Sequence, residues 1–121
     1  MVLDSNILIG YLNGDGSIIS ALRAWRDSGV VLFISAVSAI EALSLASLAP
    51  SNLAAIENFL QDFVLIPVDT RVITTAGELR RNYRLSVPDA AILASAVVNN
   101  LALATRDKQM LSVPNIDFAH I

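Results

Sequence analysis

Short, unbroken apolar runs alternate with helix-period segments along the chain, and that rhythm narrows the fold more than any other feature. Val30 to Ile34, Phe63 to Ile66 and Leu101 to Ala104 are of strand length without polar alternation, and Val2–Leu3 start a shorter run of the same kind. Strands apolar on both faces belong in a sheet covered on both sides, which parallel strands with helical crossovers produce. Between them, Ile18 to Arg26 sets Ile18, Leu22 and Trp25 on one helix face. Ser35 is placed to cap a helix from Val37 to Leu48 that ends before Pro50, and Ser51 starts another through Asp62. Asp69 or Thr70 caps a helix to Tyr83, and Ser86 caps one through Val98 that stops at Asn99–Asn100. Asp117 to Ala119 is expected as a last edge strand after Pro114. The prediction is an α/β fold: a mainly parallel sheet of four to five strands with helices on both sides, in three layers.

The 121 residues suit one domain, residues 1–121, without a linker or internal repeat. Hydrophobic residues make up 55% and charged ones 16%, with mean hydropathy +0.61, so self-association is expected to cover part of the surface. No apolar stretch approaches the ~20 residues of a membrane span, and the opening residues lack the pattern of a signal peptide. The expectation is a cytoplasmic protein without a membrane partner. Absence of cysteine removes thiolate chemistry and cysteine-ligated metal, and the single histidine, His120, rules out a multi-histidine zinc site. Chemistry is left to acids, hydroxyls and a few basic side chains.

Four acids stand out because each interrupts or borders apolar sequence. Asp4 divides VLDSNILI, Glu41 shares a helical face with Val37, Leu45 and Leu48, Asp89 opens PDAAILASAVV, and Asp107 follows LALATR. A buried carboxylate has to be neutralised, hydrogen-bonded or bound to a cation. Each acid also has an ordinary explanation. Asp4 suits a turn, with Asn6 as a further turn or cap former, and Glu41 suits an ion pair with arginine. Asp89 completes the S-x-x-D pattern of a capping box with Ser86, and Asp107 suits a loop balanced by Arg106 and Lys108. If instead the four converge, an oxygen-only site selects a hard divalent ion, Mg²⁺ or Mn²⁺.

Taken together, the four strings resemble the PIN-domain ribonucleases, and most of all the VapC-type toxins of bacterial toxin-antitoxin pairs. VLDSNILI is similar to the family's opening D-[ST]-[NS] strand, SAIEALSL to its glutamate helix, SVPDAAILASA to its P-D-x-x-I-x-A-x-A helix start, and LATRDKQM to its T-R-[DN] strand exit. The resemblance covers essentially the whole chain. Ser5 stands where threonine is commoner, and the tail after Asp107 is short. The resemblance implies a PIN-like fold and Mg²⁺- or Mn²⁺-dependent hydrolysis of RNA phosphodiesters. It also implies Asp4, Glu41, Asp89 and Asp107 as the catalytic, metal-holding set, with Asn6 and Thr105 as polar helpers. Arg106 and Lys108, flanking Asp107, are the preferred RNA contacts, ahead of Arg23 with Arg26 and of Arg80, Arg81 and Arg84. A cognate antitoxin and a homodimer are the implied protein partners. Two rival readings are a catalytically silent PIN-like interaction domain and an aspartate-nucleophile phosphatase. The phosphatase wants an aspartate where Asn6 stands, and a lysine for which only Lys108 is available.

Overall fold

A computed structural model describes residues 1–45 and 50–121. Its five strands are β1 (Val2–Leu3), β2 (Phe33–Ser35), β3 (Val64–Ile66), β4 (Leu103–Ala104) and β5 (Phe118–Ala119). They form one sheet in the order β3-β2-β1-β4-β5, and every pairing is parallel. Seven helices among the described residues make the connections: α1 (Ser5–Leu12), α2 (Gly16–Asp27), α3 (Ala36–Leu43), α4 (Pro50–Leu60), α5 (Thr70–Asn82), α6 (Val87–Val98) and α7 (Lys108–Leu111). This is the three-layer α/β/α fold expected of a PIN-like domain.

Period-two alternation sorts the strand residues into two cores. Leu3, Ile34 and Ala104 face one side and pack with Ile7 and Leu8 of α1, Ile18 and Leu22 of α2 and Ile56 of α4. Val2 and Leu103 face the other and pack with Ala90, Leu93 and Ala96 of α6. Both faces of the central strands are covered, which is why their sequences show no polar alternation, whereas the edge strand β3 leaves Val64 and Leu65 exposed. Burying each large aliphatic side chain contributes about 1.5–3 kcal/mol, so a fold this small depends on both layers. Helix α6 is the most deeply buried, with Ala90 through Ala96 inaccessible or nearly so. That burial accounts for its almost chargeless sequence.

The predicted caps form where hydroxyls and carboxylates precede helices. Ser35 accepts from the Val37 N–H, Asp69 from the Val72 N–H and Ser86 from the Asp89 N–H. Asn99 caps the end of α6, and Asn100 takes the left-handed conformation at φ 53°. The helix expected over 37–48 is described as α3 to Leu43, and its predicted tail at 46–48, with Leu48, lies outside the described residues. The strand expected over Val30 to Ile34 is shorter and shifted, to Phe33–Ser35.

Helices α1 and α7 correct the sequence reading, which treated their residues as strand flank and loop. Helix α1, SNILIGYL, is apolar nearly all round because it lies between the sheet and its neighbours, so it lacks the amphipathic period that marks surface helices. Helix α7 has a single turn, too short to show a period.

Candidate active site

In open parallel sheets, ligands gather beyond the carboxyl ends of the strands where strand order reverses. Here the reversal lies between β1 and β4, which pair as Val2 with Leu103 and Leu3 with Ala104. Asp4 directly follows β1, and Thr105 directly follows β4. The Asp4 N–H donates to the Ala104 carbonyl at 3.0 Å, extending the ladder to the edge where both side chains emerge.

Asp4 is 2% exposed and caps α1. One carboxylate oxygen accepts the Ser5 N–H at 2.7 Å and the other accepts the Thr105 hydroxyl at 2.8 Å. Thr105 in turn accepts the Asp107 N–H at 3.0 Å, so one hydroxyl ties the first acid to the turn carrying the last. Asp107 then caps α7, accepting from the Gln109 and Met110 N–H groups.

Burial is the largest influence on Asp4 and pushes its carboxyl up to about 6. The bonds from Thr105 and Ser5 pull the other way, and the charges of Asp89 and Asp107 add to the rise. Asp89, partly buried in the first turn of α6, is also raised, first by burial and then by Asp107, with the Ser86 hydroxyl opposing. Asp4, Asp89 and Asp107, widely separated in sequence, thus feel one another's charge.

Glu41 joins through hydroxyls. Its carboxylate accepts the Ser5 hydroxyl at 2.8 Å, and Ser5 Oγ lies 3.2 Å from Ser38 Oγ. An ionised carboxylate only accepts, so the Ser5 proton goes to Glu41 and the buried Ser38 hydroxyl donates to Ser5. Ser5 therefore holds two acids at once, Asp4 through its N–H and Glu41 through its hydroxyl.

The ordinary explanations fare unevenly. Among the described residues the single ion pair joins Arg106 to Asp15 at 2.9 Å, and neither Glu41 nor Asp107 pairs with arginine. Arg106 also donates to the Ser17 hydroxyl, so its guanidinium is engaged at the start of α2. The capping box at α6 is half made: Ser86 accepts from the Asp89 N–H at 3.2 Å, while among the described residues the Asp89 carboxylate accepts no hydrogen bond from the Ser86 N–H. Asn6 is exposed on α1 and takes no part in the hydrogen bonds described here, whereas Ser5 and Ser38 do. The sequence signal for Ser5 was its place beside Asp4. Its link to Glu41 depends on how α3 packs against α1.

Among the described residues no three acidic or histidine side chains close into a ready ligand cage for one ion. The donor set nonetheless suits magnesium, which keeps several of its waters and needs only one or two direct carboxylates. A buried carboxylate of raised affinity for protons, with two further acids in reach, is a group that a hard cation would stabilise. The cleft of about 450 Å³ lined by Thr70, Arg71, Thr74 and Val97 lies toward the opposite end of α6 and has no acid in its lining.

The arrangement defines a class: a parallel α/β domain with clustered aspartates at the switch point of its sheet. The PIN domain family model matches residues 1–116, and the chain belongs to that family. It is similar to a chain of a toxin-antitoxin complex from Klebsiella pneumoniae, with 30% identity over 93% of this chain and 92% of that one, at a TM-score of 0.82. The fold is also that of VapBC2 from Rickettsia felis bound to a promoter DNA fragment, with 21% identity, 99% and 97% coverage and a TM-score of 0.84. DNA-bound VapBC from Salmonella typhimurium is similar too, with 23% identity, 98% and 96% coverage and a TM-score of 0.80. No functionally curated protein matches the chain. Among the described residues, no helix is long and apolar enough to cross a membrane.

Proposed function

We propose that this protein is a VapC-like toxin acting as a divalent-metal-dependent endoribonuclease. The reading is supported by the raised carboxyls of Asp4, after β1, and Asp89, at the start of α6, which feel the charge of Asp107 and have no arginine partner among the described residues. Asp4 and Asp89 would hold Mg²⁺ or Mn²⁺ with Asp107, directly or through water, and Glu41 would take part from the side of α3. A bound cation of this kind supplies positive charge to a phosphoryl oxygen and makes water a stronger nucleophile.

The chain's own residues would do the rest. Thr105 and Ser5 fix the Asp4 oxygens, so that carboxylate has little freedom to swing away. One Glu41 oxygen accepts from Ser5, and its other oxygen serves to orient an attacking water or receive its proton. The rival in which Asp4 attacks phosphorus itself wants a second aspartate where Asn6 stands, exposed on α1. Lys108, exposed beside Asp107, is a phosphate contact in this reading, while Arg106 would contribute only by releasing Asp15.

Similarity to a chain of a toxin-antitoxin complex supports an antitoxin as the protein partner, and the exposed Ile40, Leu43 and Leu65 support self-association as a homodimer. The cytoplasm, where RNA and a reducing medium coincide, is the expected compartment. The test is cleavage of single-stranded RNA by purified protein in Mn²⁺ or Mg²⁺ and in EDTA. Metal-dependent internal cleavage that Asp4→Asn abolishes is expected; equal cleavage by the variant, or none by the wild type in either metal, contradicts the reading.

A further inference from the structure

A phosphodiester held over clustered carboxylates needs cations nearby for its flanking phosphates. The chain has eight Lys and Arg residues, and the structure occupies several of them elsewhere. Arg106 is committed to Asp15 and Ser17. Arg26 lies over the Phe63 ring at 5.1 Å, and Arg71 donates to the Val98 carbonyl at the far end of α6 from Asp89. Arg81 folds back along α5, its guanidinium 3.7 Å from where a side chain on Gly77 would begin.

Arg23 is exposed within α2 and Lys108 begins α7, whereas Arg80 and Arg84 stand together at the end of α5 and in the segment leading to α6. Both are exposed and neither has a carboxylate partner among the described residues. Arg80 donates through Nε to the Leu85 carbonyl at 3.1 Å, which pins the guanidinium against the segment running into Ser86 and α6. That bond uses one donor of five and leaves the two terminal nitrogens of the fork for an anion. Arg84 is the first residue after Tyr83, the C-cap of α5, in the same non-helical segment. The Leu85 carbonyl that holds Arg80 lies one residue before Ser86, whose hydroxyl accepts from the Asp89 N–H, so the pinned guanidinium sits at the helix start that carries Asp89, with Arg84 in the same short segment.

We propose that Arg80 and Arg84 form a strap that grips the RNA backbone beside the acid cluster and sets which phosphodiester reaches it. The strap rests on the ribonuclease reading and adds to it the path of the substrate. Arginine suits the task because its planar fork matches phosphate oxygens two at a time.

The test is the salt dependence of binding to a fluorescently labelled single-stranded RNA in EDTA, followed by anisotropy between about 50 and 200 mM KCl. Two phosphate contacts on a single strand contribute about 1.4 to the slope of log affinity against log salt, at ~0.7 each. Arg80→Ala with Arg84→Ala is expected to flatten the slope by about that amount, and Arg80→Lys with Arg84→Lys to restore most of it. Arg84→Glu, which disturbs no hydrogen bond described here, serves if loss of the Arg80 pin unfolds the α5–α6 segment, and it is expected to weaken binding at least tenfold. Arg106→Ala is expected to change the slope far less. An unaltered slope in both the double alanine variant and Arg84→Glu overturns the strap; if those variants then lose affinity for an acidic peptide, the surface belongs to a protein segment instead. Manganese-dependent RNA cleavage by the wild type beside unaltered slopes removes the strap and leaves the ribonuclease reading standing. Absence of both cleavage and salt-dependent binding in the wild type overturns both.

Discussion

Asp4 and Asp15 do the same local job in different surroundings. Each caps the helix that follows it, accepting a backbone N–H within the next turn. Asp15 lies at the surface, where the Ser17 hydroxyl and the Arg106 guanidinium hold its carboxyl down to about 2. Asp4 lies under the sheet edge, where burial and two neighbouring aspartates lift it to about 6 despite two hydrogen bonds. Capping explains why an acid sits at each place, but only the second environment leaves negative charge unbalanced. A helix cap and a metal ligand can therefore look alike in sequence, and the partners brought in by the fold separate them.

The largest effect should come from removing each charge in turn. Asp4→Asn is expected to lower metal-dependent RNA cleavage at least about a hundredfold, the scale of losing one strong electrostatic partner of a transition state. Asp15→Asn should leave it within about threefold, since surface substitutions away from special features act weakly. Comparable losses in initial-rate assays of the two variants would break the distinction.

The two acids should also give stability opposite dependences on pH. A carboxyl raised in the folded state favours folding while protonated, so the Asp4 contribution is complete below its unfolded value of 3.8 and is lost as pH rises through about 6. The loss is on the order of 3 kcal/mol, from 1.36 kcal/mol per pKa unit. Asp15, depressed when folded, stabilises above 3.8, and that support disappears as pH falls toward 2. Urea midpoints measured in EDTA across this range should fall toward neutral pH in the wild type and fall less in Asp4→Asn. Adding Mn²⁺ should raise the wild-type midpoint at pH 8, by about 1.4 kcal/mol of stability at a tenfold excess over Kd, and the gain should shrink below pH 6 as protons compete.

Much of this was legible in the chain. Solid apolar strands announced a covered parallel sheet, and Ser35, Asp69 and Ser86 announced the helices they cap. Asp4, Glu41, Asp89 and Asp107 were visible as acids in unsuitable places. The link from Ser5 to Glu41 was not visible, because it spans 36 residues and exists only once α3 packs against α1. The partner of Arg106 was hidden for the same reason: Asp15 is 91 residues away in sequence, so nearness to Asp107 in the chain suggested a role that its hydrogen bonds do not favour. Local patterns encode caps and strands, whereas the choice between partners is made by tertiary contacts.

Smaller effects refine the comparison. Ser5→Ala removes the hydroxyl tie to Glu41 while keeping the N–H bond to Asp4, and kcat is expected to fall about tenfold with KM little changed, as for other partners that orient a ligand. Ser5→Thr should recover most of the loss; a purely structural role for Ser5 would instead lower the melting temperature without that kinetic split. Smallest of all, Arg106→Ala should barely move the melting temperature, since the pair it breaks is exposed and screened by solvent.

Anomalous diffraction from a crystal soaked in Mn²⁺ addresses the central claim most directly. The account predicts at least one manganese peak between the carboxylates of Asp4, Asp89 and Asp107, with Glu41 directed toward it. Fully occupied manganese sites elsewhere on the surface, with none at that edge, would contradict it.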